Sequence, residues 1–316
     1  MSSTNRHRDG RSNRGIMVCL ATIWVAGTVC GLGCSDKPSG LIGPIQRGDR
    51  LVLEFGSTTF EVNPAQGGRI TSLKTNGTEL LSDADSSNFG STFWPSPQAA
   101  WNWPPPPEID SLAYAATVAA PSITLTGGTD PLTHLSVTKR FTADVPHEAI
   151  DLEYTMTNHG TTEVSWAPWE ITRVSPVGVT FWPTGAAPFK GAQALLGSQE
   201  IGGVTWVDVS STAVEAKLMA DGNGGWLAHV SGTAALLKKF QDQPATAAAP
   251  NEAEVEVYVN PTHSYVEVEN QGGYGTIAAG ASVTWKMTWY ARQVPAGTDT
   301  AVGSVDLVAF AIQTLQ

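Results

Sequence analysis

The sequence has no cysteine after residue 34; Cys19, Cys30 and Cys34 are the three in a chain of 316 residues. A domain built from the remainder holds no disulfide and takes its stability from its core. Charge is also scarce, at 15% of residues, and unbalanced, with 18 Lys and Arg against 29 Asp and Glu. An acidic surface repels phosphate backbones, so nucleic acid is excluded as the expected partner. Histidine numbers six. No His-x-His or Cys pair is spaced for zinc, no Gly-x-Ser-x-Gly elbow occurs, and no Gly-rich loop opens a helix. Those chemistries find little support, and neither a metal nor a cofactor is expected. The longest apolar run, Ile16 to Val29, is too short to span a bilayer comfortably.

That run follows Arg6, Arg8, Arg11 and Arg14 and precedes "GLGCSDKPSG", the order of an export signal. Gly31-Leu32-Gly33-Cys34 resembles a bacterial lipoprotein signal, in which small residues precede a cysteine that is lipidated and before which the chain is cleaved. Leucine here stands two positions before the cysteine, where the usual pattern has it three before. A plain secretory signal or a short uncleaved anchor is the alternative. The resemblance implies lipidation at Cys34 and an exported, periplasm-facing protein held to a membrane by its lipid alone. Ser35 resembles the residue that directs lipoproteins to the outer membrane. The chain then divides into a signal at 1–33, a Gly/Pro/Ser-rich tether at 34–49 and a domain at 50–316. Loss of residues 1–33 removes four arginines and one aspartate, which leaves 14 basic and 28 acidic residues and a net charge of −14.

Beyond the tether, β-branched and aromatic residues recur in short runs broken by Gly, Asn, Asp and Pro, among them "LVLEF", "HLSVTKRFTA", "AIDLEYTMT" and "SVTWKMTWYA". More than a dozen such runs without intervening helices predict an all-β fold of large, stacked antiparallel sheets. Turns are expected at "TNG" (75–77), "TNHG" (157–160) and "DGNGG" (221–225), the last read as a hairpin turn over a calcium loop. Only the tail, 301–315, has helical spacing, with Val305, Val308 and Ile312 on one stripe. A monomer is expected.

Three stretches carry a wider resemblance: "FEVNPAQGGRITSLKTNGTELL" (60–81), "GSTFWPSPQAAWNWPPPPEID" (90–110) and "SYVEVENQGGYGTIAAGASVTWKMTWY" (264–290). Together they resemble the galactose mutarotase-like, or aldose 1-epimerase-like, superfamily, and more narrowly a bacterial family of unknown function with a Trp/Pro-rich signature. The resemblance implies a large β-sandwich whose concave sheet holds a carbohydrate. It implies either an epimerase-like isomerase or a non-catalytic glycan-binding lipoprotein that has lost the acid.

Mutarotation needs a base for the anomeric hydroxyl and an acid for the ring oxygen. Glu269-Asn270-Gln271 is similar to the epimerase Glu-x-Gln motif, which implies Glu269 as the base. Strand alternation puts Tyr265, Glu267, Glu269 and Gln271 on one face and Val266 and Val268 on the other. Such a face suits sugar hydroxyls, or is an ordinary solvated one. Two carboxylates so close repel, which raises the pKa of one. The acid has no match: Pro168, Trp169 and Glu170 stand where epimerases have a histidine. Glu170 or His134 are the substitutes, and His159 reads as a turn residue. Arg69 follows a Gly pair and either reaches a sugar or forms a structural salt bridge.

Tryptophan is abundant, at eleven. Trp285 and Trp289 alternate within a strand and read as core. Trp94, Trp101 and Trp103 sit in a Pro-rich stretch where an indole either packs on the core or offers a platform to a ligand. Trp169 joins them as a candidate contact. Pro104 to Pro107 are expected to form a stiff polyproline II segment.

Overall fold

The computed structural model describes residues 42–211 and 214–316. The signal, Cys34 and most of the tether lie outside the described residues. The folded unit takes in the end of the expected tether, because Ile45–Arg47 pairs with Arg50–Phe55 at a sheet edge.

The described residues form two antiparallel sheets, twelve strands in front and ten behind. The front sheet runs from Ile45–Arg47 through Arg50–Phe55, Thr58–Asn63, Arg69–Thr75, Ser91–Ser96, Val164–Val174, Val266–Gln271, Val255–Val259 and Ala216–Ala220 to Lys190–Gly191. The back sheet is centred on Ala234–Phe240, Ser282–Gln293, Ala149–Asn158 and Leu135–Asp144. Alternate residues of each sheet face the other and fill the space between. Phe60 of the front sheet meets Phe141 of the back with ring centres 5.2 Å apart, and Phe93 stacks on Tyr154 at 4.6 Å. Trp285 and Trp289 are buried in this layer, as their spacing predicts.

The turns divide differently from the expectation. "TNG" closes a tight hairpin, with positive φ at Asn76 (48°) and Gly77 (81°) between Arg69–Thr75 and Thr78–Glu79. "TNHG" and "DGNGG" carry the chain from one sheet to the other, so "DGNGG" is not the hairpin turn expected of it.

The tail forms a helix, Val305–Leu315, capped by Ser304 Oγ, which accepts from Leu307 N at 3.1 Å. Its buried stripe is Leu307, Ala311 and Leu315, while Val305 is 78% exposed and Ile312 is also exposed. The helix packs on the outer face of the back sheet, among Phe181, Trp206 and Tyr290, and of the expected stripe only Val308 is partly buried there. The helix covers one part of that face; over Leu135–Asp144, Ala149–Asn158 and Ser282–Gln293 the face stays open, with a depression of about 560 Å³ lined by Arg140, Asp151, Glu153 and Lys286.

Candidate functional site

Alternation builds the site. Along Val266–Gln271, Val266 and Val268 point into the sandwich, and Glu267, Glu269 and Gln271 point out through the front sheet. Register carries the pattern sideways: Glu269 stands opposite Glu256, Glu267 opposite both Arg173 and Tyr258, and Gln271 opposite Trp169. Tyr258 in turn pairs with Lys217.

Glu269 and Gln271 form the floor and not its surface. The Glu269 carboxylate is fully buried, accepts from Trp169 Nε1 at 2.8 Å and lies 3.3 Å from Lys217 Nζ. Lys217 Nζ also meets Glu256 Oε2 at 2.6 Å and sits 4.7 Å from the centre of the Trp169 ring. Gln271 Nε2 donates to Glu256 Oε1 at 3.0 Å. Burial pushes the Glu269 carboxyl up to about 7, against the pull of Lys217 and with the help of neighbouring Glu256. Glu256 is raised by burial as well. Burial pulls Lys217 down, but Glu269 and Glu256 outweigh it, so the ammonium holds its proton more firmly than usual.

Above this floor lies an open cleft of about 510 Å³, walled by Trp94, Trp103 and Trp169, with Lys217, Glu267 and Asn260 facing into it. Trp94 is the hinge of the aromatic wall: its ring meets Trp169 edge-on at 5.4 Å and Trp103 edge-on at 6.0 Å. Its Nε1 donates to Asp110 Oδ1 at 2.8 Å, and Asp110 is gripped by Arg69 Nη2 at 3.0 Å and Thr92 Oγ1 at 2.8 Å. Burial raises the Asp110 carboxyl, but Arg69, Trp94 and Thr92 together hold it below the usual range. Glu267 is bound from behind by Arg173 Nε at 2.9 Å, and Arg173 lies 5.5 Å from the centre of the Trp94 ring.

The expected site residues therefore separate. Glu267, Trp94, Trp103 and Trp169 share the cleft, and Trp103 is 58% exposed there. Trp101 is buried behind, with Nε1 donating to Pro95 O at 2.7 Å and its ring edge-on to Trp94. Arg69 is buried in its ion pair with Asp110 and orients Trp94 through it. Glu170 is not brought to the cleft. It is one residue from outward-facing Trp169, so its carboxylate points between the sheets, where it meets Lys238 Nζ at 2.6 Å and the hydroxyls of Ser91 and Thr172. His134 and His159 are exposed turn residues, and His159 pairs with Ser136 Oγ at 2.8 Å. The proline run is not one polyproline II segment, because Pro107 opens the helical turn Pro107–Asp110, a position with no N–H bond to lose.

Lys217, Glu256, Arg173 and Asp110 were not among the expected residues. The signal for the first two is alternation: Lys217 and Met219 lie between Ala216, Leu218 and Ala220, and Glu256 and Tyr258 between Val255, Val257 and Val259.

The two-sheet architecture is that of the galactose mutarotase-like proteins. It matches such a protein from Lactobacillus casei ATCC 334 with a TM-score of 0.55 and 12% identity, over 77% of this chain and 100% of that one. A candidate aldose 1-epimerase from Klebsiella pneumoniae matches with a TM-score of 0.54 and 12% identity, over 85% of each chain. A TPR-domain containing protein from Parabacteroides distasonis ATCC 8503 matches with a TM-score of 0.55 and 12% identity, over 80% of this chain and 50% of that one. This chain thus spans half the length of that protein. At these identities the likeness is one of fold. By sequence, residues 82–292 match the domain of unknown function DUF4380, and the chain belongs to that family. No curated protein matches it in sequence.

Proposed function

We propose that this protein binds a carbohydrate in the front-sheet cleft and releases it unchanged. The observation that carries the reading is the convergence of Trp94, Trp103 and Trp169 with the Glu267 carboxylate on one open cleft. A sugar ring has apolar C–H faces, which suit an indole, and hydroxyl edges, which suit a carboxylate or an amide such as that of Asn260. The fold likeness to mutarotase-like proteins supports the ligand class.

Release without reaction is supported by the floor. Glu269 is fully buried, with Oε2 engaged by Trp169 and Lys217 and Oε1 buried without a hydrogen-bond partner. Among the described residues, no histidine lines the cleft. With Glu269 buried and no histidine in the cleft, the proton steps of ring opening would fall to Glu267, Tyr258 or Tyr265, none of which matches the epimerase pair. One observation favours the second reading, an aldose 1-epimerase-like isomerase: the Glu269 carboxyl titrates at about 7, suited to a base at neutral pH. It requires Lys217 and Trp169 to move aside.

Calorimetric titration of a panel of saccharides into wild type and Trp103→Ala tests the binding reading. Loss of the exposed indole is expected to weaken binding roughly tenfold, and equal affinity in the two proteins would sink the assignment. We also propose tethering at Cys34, supported by the sequence signal alone. Cys34→Ser is expected to move the protein from the membrane to the soluble fraction, and unchanged membrane retention contradicts the anchor.

A further inference from the structure

We propose that the cleft is one end of a longer groove that takes a saccharide of several linked units, an inference that rests on the carbohydrate reading above. The cleft of about 510 Å³ does not close around a single ring. It continues into a second depression of about 380 Å³, with Gln98, Trp103 and Lys217 lining both. That depression leads to a recess of about 60 Å³, with Met219 and Glu252 lining both. The three follow one another along the strands. Lys217 and Met219 alternate along the floor of the same strand, and Glu267 and Gln271 mark the two ends on Val266–Gln271, with Val255–Val259 between the two strands. Four residue steps separate Glu267 from Gln271, roughly 13 Å at ~3.3 Å per residue, which is longer than one pyranose ring.

The lining changes along this path in a way that suits a chain of rings. Trp103 is the most exposed of the three wall indoles and borders both the cleft and the second depression, so successive rings can pack against it. Met219 supplies an apolar floor beyond it, and Gln98, Asn251 and Glu252 supply polar edges for hydroxyls. At the far end, Gln271 lines the recess, and its side-chain oxygen is buried without a hydrogen-bond partner. A buried acceptor left open is costly, and a hydroxyl entering the recess would satisfy it. Gln98 N donates to Glu252 Oε1 at 3.3 Å, which ties together two residues lining the second depression.

The test is a calorimetric length series, one to five units, of β-1,4-linked glucose, galactose, mannose and N-acetylglucosamine, with wild type, Met219→Ala and Trp103→Ala. The expected result is that, in at least one series, affinity climbs by about tenfold or more from the monomer to the tetramer. Met219→Ala is expected to lower the tetramer affinity severalfold more than the monomer affinity, while Trp103→Ala weakens every length. Monomers that bind as tightly as their tetramers would overturn the groove and leave the single-ring cleft standing. A tetramer gain untouched by Met219→Ala would also overturn it. No binding at any length in any series would overturn the carbohydrate reading together with the groove.

Discussion

Glu256 and Glu269 stand opposite each other on adjacent antiparallel strands, both fully buried, and share one ammonium, that of Lys217. Two carboxylates at one buried position cannot both ionise without a cation. The cluster is therefore a single unit in which Lys217 pins the floor of the cleft and covers Glu269 from the solvent side.

Lys217→Met removes the shared cation and leaves two buried acids. It is expected to cost about 3 kcal/mol at pH 7, and clearly less at pH 5, where the acids hold their protons. Urea denaturation at the two pH values measures both. A loss independent of pH contradicts the shared-cation account.

The sign of the pH dependence at Glu269 follows from its raised carboxyl, about 7 when folded against 4.5 for the ordinary group. The folded chain keeps a proton that the unfolded chain has released, so this contribution to stability is fully present below about 4.5 and lost as pH rises to about 7. Glu269→Gln cannot titrate, yet its amide oxygen can still accept from Trp169. Relative to wild type it is expected to gain stability steadily from pH 4.5 to 7, as read from melting temperatures across that range. A constant difference would refute the raised carboxyl.

Lys139 gives the opposite slope. Its ammonium is buried in the back sheet, donates to Gly67 O at 2.6 Å and sits 5.0 Å from the centre of the Tyr114 ring. Burial brings its pKa down to about 7 from 10.5. Between these values the unfolded chain binds the extra proton, so stability rises with pH from 7 to 10.5. The rise is expected to be smaller in Lys139→Met, where buried Lys238, also lowered by burial, still contributes, a difference that melting temperatures over that range would reveal.

Asp110→Ala strips Arg69 of its buried partner and Trp94 of its acceptor. It is expected to destabilise the fold by about 3 kcal/mol and to weaken saccharide binding through Trp94, although Asp110 itself is not part of the aromatic wall. Asp110→Asn keeps the acceptor for Trp94 Nε1 and is expected to recover binding more fully than stability. Calorimetry and denaturation on the two variants separate the roles; equal losses of both properties would show that Asp110 acts on the fold alone.

The sequence made the sandwich legible because alternation and turn residues are local. The outward set Tyr265, Glu267, Glu269 and Gln271 was readable from one strand for the same reason. What alternation could not give was depth. Glu269 and Glu267 share a face, but only register with Trp169, Glu256 and Lys217 decides that Glu269 lies beneath the surface and Glu267 at it. Parity would have moved Glu170 inward, since it neighbours Trp169, but not the Lys238 that meets it from the other sheet, 68 residues away. Arg69 finds Asp110 across 41 residues, a pairing no local pattern encodes. The tail helix was visible in its spacing, while its buried stripe was chosen by the sheet it packs on.

The central claim, a cleft that binds a sugar without turning it over, is tested most directly by one NMR experiment. Exchange spectra of a reducing saccharide are recorded with and without the protein, with saturation transfer read from the same sample. The account predicts transfer to the sugar in wild type, weakened in Trp103→Ala, with anomer exchange no faster than in buffer. Faster anomer exchange, or no transfer to any saccharide, would contradict it.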